Sequence, residues 1–198
     1  ARERWRAGVE RNRLIEAATS HGTLTYTYDE AGNLTNVTSS NPDGLDLEYG
    51  YDLLNRLETV KDHGAQQPPL EHTYSYDSVG NLETFTLANG VQHTWSYDSQ
   101  NRLTDLAIID IIGGSTLKSF TYTLSNAGIR QSVTEDNGRI ATYTYDGMNR
   151  LTEETISGDP NGQNGSVNYT YDKVGNRLAV VSTLGGVEDI SLGYDAND

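Results

Sequence analysis

Apolar and polar residues alternate one by one over short stretches such as Thr25-Tyr26-Thr27-Tyr28 and Thr142-Tyr143-Thr144-Tyr145. A period of two places the rings on one face of an extended strand and the threonines on the other. The stretches recur. Aligned on Tyr-Asp pairs, the chain gives Tyr28-Asp29, Tyr51-Asp52, Tyr76-Asp77, Tyr97-Asp98, Tyr145-Asp146, Tyr171-Asp172 and Tyr194-Asp195, with a degenerate copy at Leu124-Ser125. Two residues before each stands an aromatic or apolar side chain: Tyr26, Tyr49, Tyr74, Trp95, Tyr122, Tyr143, Tyr169 and Leu192. Regular recurrence on this scale marks a repeat protein, in which each unit completes its apolar face against its neighbour.

Four residues after each Tyr the chain carries Gly32, Asn55, Gly80, Asn101, Gly128, Asn149 and Gly175 in strict alternation. Gly and Asn tolerate positive φ best, so this position is expected to reverse the strand through a tight turn, with the preceding Asp accepting backbone amides. Registers of like type are nearly evenly spaced, more so than neighbouring registers, so two strand pairs form a larger double unit. A second strand begins at Leu34, Leu57, Leu82, Leu103 or Leu151, and three residues later come Val37, Val60, Phe85 or Leu106. A spacing of three does not keep both on one face, so the pattern implies either a β-bulge or a sheet that is apolar on both sides. Linkers such as Asn41 to Gly44, Ala65 to Pro69, Asn89-Gly90, Gly113-Gly114, Asn137-Gly138 and Asp159 to Gly165 read as reverse turns.

The expected fold is therefore all-β: a continuous, curved, mainly antiparallel sheet strip with roughly sixteen strands and at most one short N-terminal helix. A parallel β-helix is the alternative with a similar period. Residues 1–20 form a basic segment, read as the end of a degenerate repeat because Asn12-Arg13-Leu14 matches Asn55-Arg56-Leu57. A short helix around Trp5 and Val9 is the competing reading. Residues 21–198 carry the tandem repeats, and the start at Ala1 reads as a cut inside a longer chain.

The segments Tyr26 to Leu34 (YTYDEAGNL), Tyr74 to Leu82 (YSYDSVGNL) and Tyr169 to Leu178 (YTYDKVGNRL) closely resemble the YD repeat of the Rhs family. That family includes bacterial Rhs polymorphic toxins, C subunits of insecticidal toxin complexes and the teneurins. The resemblance implies a strip of strands that spirals into a hollow shell around a C-terminal toxin or effector. It implies flanking YD repeats and that effector domain as partners within one polypeptide, and a secreted or cell-surface, bacterial setting. Tyr28, Asp29 and Gly32, Tyr51, Asp52 and Asn55, Tyr76, Asp77 and Gly80, Tyr97, Asp98 and Asn101, Tyr145, Asp146 and Asn149, and Tyr171, Asp172 and Gly175 are then structural repeat residues.

Composition narrows the partners. The 198 residues carry a net charge of -14, and residues 1–13 hold five Arg against two Glu, so the body is more acidic still. An acidic body disfavours nucleic acid and anionic membranes, and no membrane-inserting segment is present. There is no Cys, hence no disulfide framework or thiolate nucleophile. His21, His63, His72 and His93 are scattered, which argues against a metal site, and no cofactor motif occurs. Paired carboxylates, as in Glu153-Glu154, have a conceivable glycosidase role, but the pair reads as a solvated strand or loop end. These features point away from an enzyme. The rival reading is a carbohydrate-binding or adhesion module in which the Tyr and Trp rings stack on glycans. Against it, recurring rings are expected to form ladders between repeats. Unpaired edges at the two ends favour self-association.

Overall fold

The computed structural model describes residues 6–10, 13–64 and 68–195; residues 1–5, 11–12, 65–67 and 196–198, with Trp5 and Asn12 among them, lie outside it. Among the described residues there are seventeen strands and no helix. They fall into two units, residues 1–93 with 110–114 and residues 94–109 with 115–198. The first contains β1 (Arg6–Glu10), β2 (Arg13–Thr19), β3 (Gly22–Tyr28), β4 (Leu34–Ser39), β5 (Asp46–Tyr51), β6 (Leu57–Asp62), β7 (Leu70–Tyr76) and β8 (Leu82–Thr86). Strands β9 (Val91–Tyr97) and β10 (Leu103–Asp110) are divided between the units. The second unit continues with β11 (Ser115–Leu124), β12 (Arg130–Glu135), β13 (Ile140–Tyr145), β14 (Leu151–Ser157), β15 (Gly165–Tyr171), β16 (Arg177–Ser182) and the short β17 (Ile190–Ser191).

Within each unit every strand pairs antiparallel with its successor, β1 through β8 in the first and β11 through β17 in the second. Antiparallel neighbours joined by short turns exclude the parallel β-helix. Around Val9 the chain is a strand, not a helix: Arg6–Glu10 forms a hairpin with Arg13–Thr19.

The spacing of three is resolved by a bulge that recurs from one YD hairpin to the next. Tyr28 faces Leu34, but Thr27 faces Asn36, so Thr35 is an extra residue on β4. Glu58, Glu83, Gln131, Thr152 and Leu178 are the corresponding extras in later hairpins. One inserted residue flips the side-chain phase, so Leu34 and Val37 return to the face that carries Tyr28 and Tyr26. Val37 then pairs with Tyr26, Val60 with Tyr49 and Phe85 with Tyr74.

That face holds what core there is. The buried apolar residues among those described are Val37, Ala141, Ile156, Val167 and Val180, all on it, and the Tyr rings beside them are half-buried. The opposite face carries hydroxyls in cross-strand rows. Ser132, Thr142, Thr155 and Ser166 are successive partners from β12 to β15. Thr27 and Thr35 hydroxyls lie 2.9 Å apart, and those of Ser75 and Thr84 2.7 Å. The sheet is thus two-faced, apolar and aromatic on one side, hydroxylated on the other.

Candidate functional site

The candidate site is the YD turn, built the same way each time. In the first copy the Asp29 amide donates to the Asn33 carbonyl (3.0 Å) and the Gly32 amide donates back to the Asp29 carbonyl (3.2 Å). The corresponding distances are 2.9 and 3.0 Å at Asp52 and 2.9 and 2.9 Å at Asp146. This is a three-residue hairpin loop, a type I turn closed by one left-handed residue. That residue is the Gly or Asn of the alternation: φ is 98° at Gly32, 99° at Gly80, 84° at Gly128 and 105° at Gly175, against 59° at Asn55, 60° at Asn101 and 62° at Asn149.

The Asp side chain holds the loop from inside. One Asp52 oxygen accepts the Leu54 and Arg56 amides (2.8 and 2.9 Å), and the other accepts Arg56 Nε at 2.7 Å. Asp98 does the same with Gln100 and Arg102, and Asp146 with Met148 and Arg150. In the Gly-type turns an Asn amide replaces the guanidinium: Asn33, Asn81 and Asn176 donate Nδ2 to Asp29, Asp77 and Asp172 at 2.9, 2.8 and 3.0 Å. Donation to the ionised form favours it, so all six carboxyls titrate below the ordinary Asp value. The Asn33 side chain is the chief cause at Asp29, and the backbone amides of Arg56, Arg102 and Arg150 are at Asp52, Asp98 and Asp146. At Asp77 and Asp172 desolvation is the largest single influence and opposes the shift, but the bonds from Asn81 and Asn176 together with those of the turn amides outweigh it.

Each turn is also tied to its neighbours. Arg150 Nη1 donates 3.0 Å to the carbonyl of Asp172 in the next turn, and its guanidinium lies over the Tyr171 ring at 4.7 Å. Arg102 Nη1 reaches the Ser125 carbonyl at 3.0 Å, and Arg56 stacks on Tyr76 at 4.4 Å. In the other direction, the YD tyrosine hydroxyl donates to a backbone carbonyl of the preceding repeat. Tyr28 reaches Leu14, Tyr51 Leu34, Tyr76 Leu57, Tyr145 Arg130, Tyr171 Leu151 and Tyr194 Arg177, at 2.8 to 3.0 Å. Those acceptors begin the strand just after a turn, next to the bulge.

The Gly and Asn alternation follows from this latch. A Cβ at Gly80 or Gly175 would sit 3.9 Å from Nη1 of Arg56 or Arg150, and at Gly128 it would sit 3.5 Å from Arg102 Cδ. A single methyl group fits, but a longer side chain would enter the space the guanidinium occupies. The turn after an Arg-bearing turn is therefore a glycine turn. In the reverse step Asn33 Nδ2 donates to Asn55 Oδ1 at 2.9 Å, so an Asn on the left-handed position has a partner where no Arg intrudes.

The degenerate register keeps the turn. Ser125 Oγ takes the place of the Asp carboxylate and accepts the Ile129 amide at 3.1 Å. Arg13 shows the opposite defect: Val9, four residues before it, pairs with Leu14 and offers no carboxylate, and Arg13 Nη1 is buried with no hydrogen-bond partner.

One expectation changes in detail. Rings do not stack from one YD Tyr to the next, because those tyrosines lie on alternate strands, about 9.6 Å apart at the usual strand spacing. Arg, Leu or Val from the intervening strand fills the gap, and close ring pairs such as Tyr74–Phe85 (4.7 Å) are between adjacent strands. Glu153 and Glu154 are consecutive on β14 and so face opposite sides of the sheet, which prevents joint action on one bond. Among the described residues no group of three His, Cys, Asp or Glu could hold a metal ion. His63 pairs with Glu48 at 3.0 Å, while His72 and His93 flank Phe85 with centroids 6.2 and 6.0 Å away. Sequence reasoning passed over Arg56, Arg102 and Arg150, whose signal was present in the Asn-Arg-Leu triplets. It also passed over Glu135, which binds Lys118 and Arg139 at 2.6 Å each at a turn without a Tyr-Asp pair.

Comparison with known proteins agrees with this geometry. Residues 9–109 match the family described as Teneurin YD-shell, and residues 129–163 match the RHS Repeat family. Among solved structures, the TcdB2-TccC3 complex resembles the chain with a TM-score of 0.66 at 20% identity. The Photorhabdus luminescens Tc holotoxin pore does so with 0.67 at 19%. Each likeness covers 83% of this chain but 9% of the solved chain, so the sequence spans about a tenth of the length of those proteins. No curated protein matches it.

Proposed function

The chain belongs to the teneurin YD-shell family, and from that premise we propose that it is a wall segment of a larger Rhs-type protein, part of a β-shell that encloses a C-terminal toxin or effector carried on the same polypeptide. In this reading the protein is bacterial and acts after secretion or at the cell surface. It works as a scaffold, not a catalyst. The observation that carries the reading is the two-way latch: Tyr hydroxyls reach back one repeat and Arg guanidinia reach forward one. Such bonds are satisfied only when repeats follow one another, which suits a wall that extends by repetition. The carboxylates of Asp29, Asp52, Asp77, Asp98, Asp146 and Asp172 support the scaffold role, because both oxygens of each accept local donors, which leaves them poorly placed as general acids or bases.

The test uses the full-length protein. With the wall intact, the C-terminal region should resist added protease. Replacing Arg56, Arg102 and Arg150 together by Ala should open the wall and make that region cleavable. Equal cleavage rates in both proteins would refute the enclosing role.

A further inference from the structure

Three YD turns hold a guanidinium and a carboxylate as a pair: Nε of Arg56, Arg102 and Arg150 lies 2.7, 2.6 and 2.6 Å from Asp52, Asp98 and Asp146. Arg13 takes the same place after its own hairpin without the carboxylate. Its guanidinium stands over the next YD ring, Tyr28, at 5.2 Å, as those of Arg56 and Arg150 stand over Tyr76 and Tyr171 at 4.4 and 4.7 Å. It also abuts the glycine of the following turn, since a Cβ on Gly32 would lie 3.0 Å from Arg13 Nη1. Yet that Nη1 is buried with no hydrogen-bond partner, and no carboxylate among the described residues pairs with the guanidinium. A charged donor left without an acceptor is costly, and it marks where an added acceptor gains most.

Beside Arg13 the sheet is open. β2 pairs with β3 only from Glu16 to Thr19, so the two strands part toward the YD turn, where the Tyr28 hydroxyl spans them to the Leu14 carbonyl at 2.8 Å. The parting leaves a cleft of about 450 Å³ lined by Arg13, Ile15, Tyr26 and Tyr28, with Glu16 and Asp29. Neither acid takes the guanidinium. Asp29 already accepts the Gly32 and Asn33 amides and Asn33 Nδ2 at 2.7 to 2.9 Å, and Glu16 is the partner of Thr25, on the face opposite Tyr26. We propose that this cleft binds a small carboxylic acid, with its carboxylate on Arg13 and its apolar body against Tyr26 and Tyr28. The size is that of a small-ligand site, and aromatic walls with one charged group fit such a molecule. The surroundings favour an anion, because residues 1–13 hold five Arg against two Glu in a chain that is otherwise acidic. The repeat itself supplies the mode of recognition: the ligand replaces the carboxylate that Asp52, Asp98 and Asp146 give their own arginines, a short charge-assisted pair. The proposal does not depend on the wall-segment reading.

The experiment is an NMR titration of the isotope-labelled 198-residue chain at constant ionic strength, following the Arg13 Nε–H and Gly32 amide signals. The probes are benzoate, acetate, benzyl alcohol and sulfate. Benzoate should move both signals to saturation and bind about tenfold more tightly than acetate, because its ring leaves water. Benzyl alcohol, which keeps the ring and lacks the carboxylate, should produce no saturable shift. Arg13→Gln should abolish the benzoate response and keep the strand signal in circular dichroism, since Nη1 bonds nothing within the fold. Arg13→Lys keeps the charge and loses the planar fork, so it should bind about tenfold more weakly. Arg130→Gln, which removes a guanidinium from over the Tyr122 ring in another repeat, should respond as the wild type does. Equal affinity for acetate and benzoate would assign the cleft to a bare carboxylate, such as an acidic side chain of a polypeptide, and overturn the small-acid reading. Sulfate that binds as tightly as benzoate would mean an adventitious ion only. The absence of any saturable shift at Arg13 in the wild type, which needs no variant to observe, would overturn the site outright. The wall reading stands or falls separately, on protease protection.

Discussion

Replacing Gly80 tests whether the left-handed turn position limits stability, and the structure supplies the magnitude. Gly80 has φ 99°, and a Cβ there would meet only Arg56 Nη1 at 3.9 Å, an ordinary contact. Space is therefore not the constraint for Ala, and its cost is the backbone strain of an L-residue at positive φ, about 1–2 kcal/mol. Val adds β-branching and a methyl group directed at the guanidinium, which raises the expected cost to about 2–3 kcal/mol. Asn belongs to the residues that tolerate this region, and the Asn turns here sit near 60°. Gly80→Asn thus escapes most of the backbone strain, but its longer side chain enters the space of the Arg56 guanidinium, so it should cost about 1–2 kcal/mol, still less than Val. Gly147, in the loop of another YD turn, has open space where a Cβ would point, with nothing within 4 Å, and no positive φ. Gly147→Ala should be neutral or stabilising by about 0.4–1 kcal/mol through the unfolded chain. Urea denaturation followed by circular dichroism reads all four. In thermal melts each kcal/mol should move the midpoint by about 2–4 °C for a chain of this size. Equal shifts for Gly80→Ala and Gly147→Ala, or for Gly80→Val and Gly80→Asn, would refute the turn argument.

Three further outcomes are expected. Tyr171→Phe removes the hydroxyl that satisfies the Leu151 carbonyl and should cost about 1 kcal/mol in denaturant titration; an unchanged midpoint would mean that water replaces the bond without loss. Because the folded values of Asp29, Asp52, Asp77, Asp98, Asp146 and Asp172 are depressed below 3.8, their stabilisation is complete above that pH and is lost as pH falls through the folded values. Acid titration should accordingly show loss of strand signal below about pH 4, with a shallower acid limb in Asp146→Asn. Ser125→Asp should stabilise the degenerate turn by roughly 0.5 kcal/mol, since a carboxylate accepts the Ile129 amide more strongly than a hydroxyl does; a lower midpoint would show that this turn cannot accommodate the charge.

The strands and turns were legible because they rest on local rules: two-residue alternation, and Gly or Asn where φ is positive. Tyr28, Asp29 and Gly32 announce a hairpin without reference to anything distant. The phase problem between Leu34 and Val37 was visible as a spacing of three, but only the register, with Thr35 left over, shows that a bulge resolves it. The insertion at Arg177 has the same character. It puts Arg177 opposite Tyr171 and turns Leu178 outward at 39% exposure, although the motif alone would have paired the Leu. The Arg latch was not legible because its two ends lie 22 to 24 residues apart, and a guanidinium that reaches both its own Asp and the next carbonyl is a property of neighbouring hairpins. Glu135 was hidden for the same reason: its partner Lys118 comes from the strand before.

The alternating latch also limits how such a gene can lengthen. If one repeat alone were duplicated, an Asn-Arg turn would follow an Asn-Arg turn, and the guanidinium of the first would meet an Asn side chain where it needs a glycine. Copying a pair of repeats restores the order of Arg then Gly at both junctions. Recombination that preserves the latch is thus expected to add or delete repeats by even numbers. A register that breaks this parity should carry a compensating change at its turn; the degenerate copy at Leu124-Ser125 keeps the parity, with Gly128 between Asn101 and Asn149.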